Sequence, residues 1–145
     1  MKYIPTIRDN QKQSVLILLI FLLFCACAAT PVRFDESKET LPSYYAEIAQ
    51  QHYNNKKFLS AIRVYEQLIK RFADKKDLYE KDLAWAHYEI GFCYLVRKQN
   101  KSALNFFNSV LKNFDTLAPR TLAQQRIDEI GKKKARAART KGQEN

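Results

Sequence analysis

Glycine and proline are scarce: three and four in 145 residues. A sheet-rich fold needs turn residues between many short strands, so this shortage disfavours a turn-dense β-architecture and points to helices. Three cysteines, two of them close together near the N-terminus, are too few for a disulfide framework. No glycine-rich phosphate loop, paired metal motif or Ser/His/Asp arrangement occurs, so no enzyme activity, cofactor or metal is expected. No apolar run reaches the roughly 18–20 residues of a spanning helix. The longest, "VLILLIFLLF" (15–24), extends through cysteines and alanines only to Ala29. Acidic residues are also in deficit, 15 against 25 Lys and Arg, for a net charge of +10. That balance permits nucleic acid, an anionic membrane or an acidic partner without selecting among them.

What is present begins with a targeting pattern. Lys2, Arg8 and Lys12 precede the apolar run, as in a secretory signal. The following "FCAC" (24–27) resembles the lipobox of bacterial lipoproteins, with small Ala26 placed before the thiol of Cys27. Phe24 and Cys25 depart from the usual pattern. The resemblance implies diacylglycerol attachment at Cys27 and removal of residues 1–26, leaving Cys93 as the one free thiol. A plain signal cleaved after Ala29 and an uncleaved anchor stay open; a metal or redox site lacks the spacing and partner ligands. Residues 27–42 are polar and proline-marked and read as a tether, with Pro42 near a helix start and Thr40 or Ser43 as caps.

The body of the chain is written twice. "YAEIAQQHYNNKKFLSAIRVYEQLIKRF" (45–72) aligns without gaps on "HYEIGFCYLVRKQNKSALNFFNSVLKNF" (87–114), an offset of 42 residues. Ile48 falls on Ile90, Ala49 on Gly91, Ala61 on Ala103, Tyr65 on Phe107, Leu68 on Val110 and Phe72 on Phe114. His52 falls on Tyr94, and Glu47 on Glu89. Side-chain size repeats along with hydrophobicity. In each unit the i, i+3, i+4, i+7 pattern gives two helices joined by a short break, hence an antiparallel hairpin. The small residues Ala49, Gly91, Ala61 and Ala103 let the paired helices approach closely. The expected fold is all-α: two hairpins stacked as a short solenoid over 43–131, closed by a capping helix at 119–131 that stops at Gly131. Residues 132–145 form a basic tail.

This order of small and large residues resembles the tetratricopeptide repeat (TPR), although the offset exceeds the usual period of about 34. "ADKKDLYEK" (73–81) accounts for the excess. In that family the first helix of each unit lines a concave groove. Carried onto this chain, the groove would hold Tyr53, Trp85, Tyr88, Phe92 and Val96 as partner-binding residues. Two coverings for this stripe are open, the capping helix or an apolar partner surface. The histidines, His52 and His87, fall on repeat-core positions. The tail carries no aromatic residue to stack on bases, so nucleic acid is disfavoured; a solvated helix end is the plainest account, ahead of contact with phospholipid head groups or an acidic partner.

"A-x-x-x-Y-E-x-L-I-x-R-F" (61–72), after a lipidated N-terminus and tether, is also similar to the BamD family of outer-membrane β-barrel assembly lipoproteins. The resemblance implies a lipid-anchored adaptor on the periplasmic face of the outer membrane, with the β-barrel assembly protein as a partner. That family has about five repeats where this chain has two. Scaffolding of peptidoglycan or division factors, as by Tol-associated TPR proteins, is the alternative. A membrane-anchored protein whose tail binds phospholipid or nucleic acid is a third.

Overall fold

The computed structural model describes Phe34 and residues 41–143, which form five α-helices and one short 3₁₀ turn. The expected signal at 1–26, Cys27 and most of the 27–42 tether lie outside the described residues. The protein is all-α, with no strand among the described residues.

Helix α1 (Pro42–Asn54) begins on Leu41, whose extended backbone is what a residue preceding proline prefers. Pro42 takes the first turn, where its missing N–H costs nothing. The cap has no side-chain hydrogen bond, so Ser43 does not serve as one; Thr40 lies outside the described residues. Helix α2 (Phe58–Phe72) pairs with α1, and α3 (Lys76–Val96) pairs with α4 (Asn100–Asn113). Three-residue links make both pairs antiparallel hairpins.

The two links are the same structure built twice. Lys56 and Lys98 have left-handed backbones, φ 59° and 60°. The N–H of Lys56 donates to the Tyr53 carbonyl (2.8 Å) and that of Lys57 to His52 (2.9 Å). Forty-two residues on, Lys98 donates to Leu95 and Gln99 to Tyr94, both at 2.9 Å. This is the Schellman arrangement, usually completed by glycine; here lysine holds the left-handed position both times. The backbone therefore repeats at the offset found in the side chains.

The extra residues between the units form the 3₁₀ turn Ala73–Lys75 and the start of α3, bent at Tyr79 (φ −120°). This extension ties the hairpins together. Tyr79 packs edge-on against Phe72 (5.1 Å between centroids). Lys76 Nζ donates to the Asn113 carbonyl (2.6 Å) and lies over the Phe114 ring, while the Asp115 N–H donates to Glu80 (2.7 Å).

The repeat core is where the hydrophobic pattern puts it. Ala49, Ala61, Tyr65, Leu68, Ile90, Ala103, Phe107 and Val110 are buried, as is Gly91. Ile48 and Tyr94 are half-buried at its edge. Gly91 is required by a close approach. A Cβ there would lie 2.7 Å from Phe107 Cε1. Phe34, in the expected tether, packs against Tyr45 (5.3 Å) and so belongs to the folded body.

Helix α5 (Leu117–Gln143) closes the second hairpin but is much longer than the cap expected at 119–131. Ala123 and Ile130 are buried against the second hairpin, and the Arg120 guanidinium donates to the Leu111 and Phe114 carbonyls at the end of α4. Gly131 does not end the helix, because the lysine, arginine and alanine that follow are strong helix formers. No helix among the described residues is long and apolar enough to cross a membrane.

Candidate functional site

Packing α3 against α1 and α2 leaves a groove of about 330 Å³ between the two hairpins. Tyr65, Leu68 and Ala86 supply apolar lining. Helix α1 contributes Ala46, Glu47 and Gln50, and α3 contributes Asp82, Trp85 and Glu89. Glu47 and Gln50 occupy one turn of α1, while Asp82, Trp85 and Glu89 follow at i, i+3 and i+7 on α3. Trp85 is half-buried and meets Tyr88 edge-on at 5.6 Å, which fixes its indole. In a chain of net charge +10, this groove carries three carboxylates and no cation.

None of the three is in an ion pair among the described residues. Glu89 is the most enclosed, and burial raises its carboxyl pKa. Its neighbours follow suit. Burial, then the Glu89 charge, raises the Tyr65 hydroxyl. Burial pushes the Cys93 thiol up to about 12, with Glu89 adding to the shift and Arg97 opposing it. Tyr53 is raised by burial first, and then by Cys93, Glu89 and Tyr88. No group of three or more His, Cys, Asp or Glu among the described residues could hold a metal ion, so the groove carboxylates do not form an ion cage. They suit an elongated cationic ligand better than a single ion.

The five residues expected to bind a partner do not form one open stripe. Trp85 alone lines the groove. Tyr88 is 6% exposed and is corrected from partner contact to core: it packs on Phe107 (5.6 Å) in the cluster shared with Ala123 and Ile130 of α5. Phe92 is half-buried between the Tyr53 ring (6.0 Å) and the guanidinium of Arg126 (5.6 Å). Hydrogen bonding to Tyr88 and to Glu129 raises the Arg126 pKa and holds this cation over the seam. Tyr53 itself rests on Phe58 (5.4 Å), and Val96 at the end of α3 is 41% exposed. The capping helix is therefore the covering for the middle of the stripe.

The carboxylates went unread as a group in the sequence. Glu47 and Glu89 are repeat counterparts, which was a usable signal, but Asp82 belongs to the extension outside the repeat. His87, the other titratable group of interest, sits behind the groove wall. Its ring contacts Phe106 and Phe114, its Nδ1 lies 3.3 Å from Ser109 Oγ, and burial lowers its pKa.

No model of a known protein family matches the chain, and a search of curated proteins finds no significant relative.

Proposed function

We propose that this chain is a non-enzymatic adaptor of the bacterial cell envelope, a pair of TPR-like hairpins that presents the α1–α3 groove to a polypeptide segment rich in lysine or arginine. The observation that carries this reading is the groove itself, where one half-buried indole stands among three carboxylates that have no cationic partner among the described residues. A basic side chain laid over Trp85 gains a cation–π contact while pairing with Glu47, Asp82 or Glu89. Glu89, already partly desolvated, gains most from such a partner. Anchorage through acylated Cys27 at the periplasmic face of the outer membrane, and a BamD-like part in β-barrel assembly, complete the proposal on the strength of the sequence resemblance.

Trp85 is the only tryptophan in the chain, so its emission reports groove occupancy directly. Extended ten-residue peptides that differ only in carrying Lys/Arg or Glu at their charged positions provide the probe. The basic set should shift and saturate the emission, with weaker binding to Glu89→Gln. Binding should strengthen as pH rises through the raised pKa of Glu89, since the ligand needs the carboxylate form. An emission that ignores both peptide sets removes the groove from the function. Palmitate incorporation, compared with Cys27→Ser, tests the anchor. Co-purification with the β-barrel assembly protein from solubilised envelopes tests the partner.

A further inference from the structure

Helix α5 does two different things along its length. Up to Ile130 it is a packing helix; from Gly131 to Thr140 every residue is exposed while the backbone stays helical. At 1.5 Å per residue, the stretch from 131 to the helix end at 143 projects about 20 Å. The side chains described on it include Lys132, Lys133, Lys134, Arg136 and Arg139, and no carboxylate falls between Gly131 and Gln143. Lys132, Arg136 and Arg139 follow at i, i+4 and i+7, with Lys133 beside them, so four cations share one side.

A helix that is exposed on all sides and carries like charges at i, i+4 spacing repels itself. Two local terms offset this: the alanines favour helix, and cations suit the C-terminal end of the helix dipole. Neither neutralises the charge. Among the described residues only Asp128 and Glu129 stand within one turn of the start of the arm, and Glu129 is held by Arg126 at 2.8 Å. Asp128 accepts from Gln124 at 2.9 Å, and none of the arm's cations is in an ion pair among the described residues.

We propose that this arm docks on a membrane surface through anionic phospholipid head groups. A row of cations on a rigid rod complements a plane of phosphates, and it needs no pocket. Residues 115–145 contain no aromatic side chain, which removes the stacking platform that single-stranded nucleic acid uses. The apolar run 15–24 of the same chain favours a lipid surface over a soluble polyanion. On this point the inference rests on the membrane location put forward above.

Flotation of the full chain with vesicles separates the two claims. Neutral phosphatidylcholine vesicles report the N-terminal attachment alone, and vesicles with added phosphatidylglycerol report the arm as an increment over that baseline. Each cation reaching a head group is worth about fivefold, so the i, i+4, i+7 set should raise partition about 100-fold at low salt. The increment should shrink sharply at 1 M salt, where the screening length is about 3 Å. Replacing Lys132, Lys133, Arg136 and Arg139 with Gln keeps helix-forming residues in place. It should abolish the increment while leaving neutral-vesicle flotation and circular dichroism unchanged. Equal partition of the wild type on both vesicles overturns the arm proposal, as does an increment that survives in the quadruple variant. Duplex DNA at equal phosphate concentration that cancels the increment, returning flotation to the neutral-vesicle baseline, overturns it in favour of nucleic acid. Absence of flotation on neutral vesicles, with the increment intact, would instead count against the N-terminal anchor.

Discussion

Gly91 in α3 and Gly131 in α5 both occupy helices, and the same substitution at each should move stability in opposite directions. Replacing a helical glycine by alanine gains about 1 kcal/mol through backbone entropy and propensity. At Gly131 nothing beyond the helix's own adjacent backbone lies within 4 Å of the added Cβ, so the full gain of about 1 kcal/mol should appear. At Gly91 the same Cβ would stand 2.7 and 2.8 Å from Cε1 and Cδ1 of Phe107 and 3.3 Å from Phe106 Cβ. Phe107 is fully buried, so its ring has no solvent into which to swing. Overpacking of this kind costs about 1–3 kcal/mol, which outweighs the propensity gain and leaves a net loss of about 1 kcal/mol. The two variants should therefore differ by about 2 kcal/mol in urea unfolding followed by circular dichroism. In thermal melts each 1 kcal/mol corresponds to roughly 4–8 °C for a domain of this size. Equal stabilisation by Gly91→Ala and Gly131→Ala would refute the idea that α3 and α4 meet at a contact only glycine allows.

Three further outcomes are expected from the packing of the two hairpins. Lys56→Gly and Lys98→Gly should each stabilise by about 0.5–1 kcal/mol, because glycine adopts the left-handed backbone without a Cβ penalty; a loss in urea unfolding at either site would contradict the Schellman links. Cys93, with its thiol pushed up to about 12, should react with a thiol reagent at pH 8 many times more slowly in the folded protein than in denaturant. His87 has a folded pKa below its ordinary 6.5, so its contribution to stability is complete above pH 6.5 and is lost as pH falls through the folded value. His87→Gln should accordingly flatten the decline in urea midpoint between pH 7 and pH 5.

The repeat was legible because both size and polarity recur at a fixed offset: Ala49 and Gly91, Ala61 and Ala103, Tyr65 and Phe107. The backbone obeys the same offset down to the φ of Lys56 and Lys98, which no residue preference announced, since lysine is an uncommon occupant of that position. Gly131 was misleading. Glycine commonly ends helices, but a run of Lys, Arg and Ala on its far side carries the helix onward. Tyr88 and Phe92 looked open because wheel geometry shows which residues share a side and not what lies over them. That α5 crosses this side is a tertiary fact, fixed by Arg120 on the α4 carbonyls and Arg126 on Phe92. The groove carboxylates were hidden for a similar reason, since they come from two helices and an insertion.

The Arg120 contacts also set a condition on growth of the array. Its guanidinium occupies the Leu111 and Phe114 carbonyls, groups at the end of α4, so a further hairpin could not stack there without displacing α5. A copy of the repeat inserted between Phe72 and Leu117 would avoid that conflict, bringing its own bent extension to clamp the preceding unit. Duplication inside the array would thus lengthen the protein while leaving the Arg120 contacts in place.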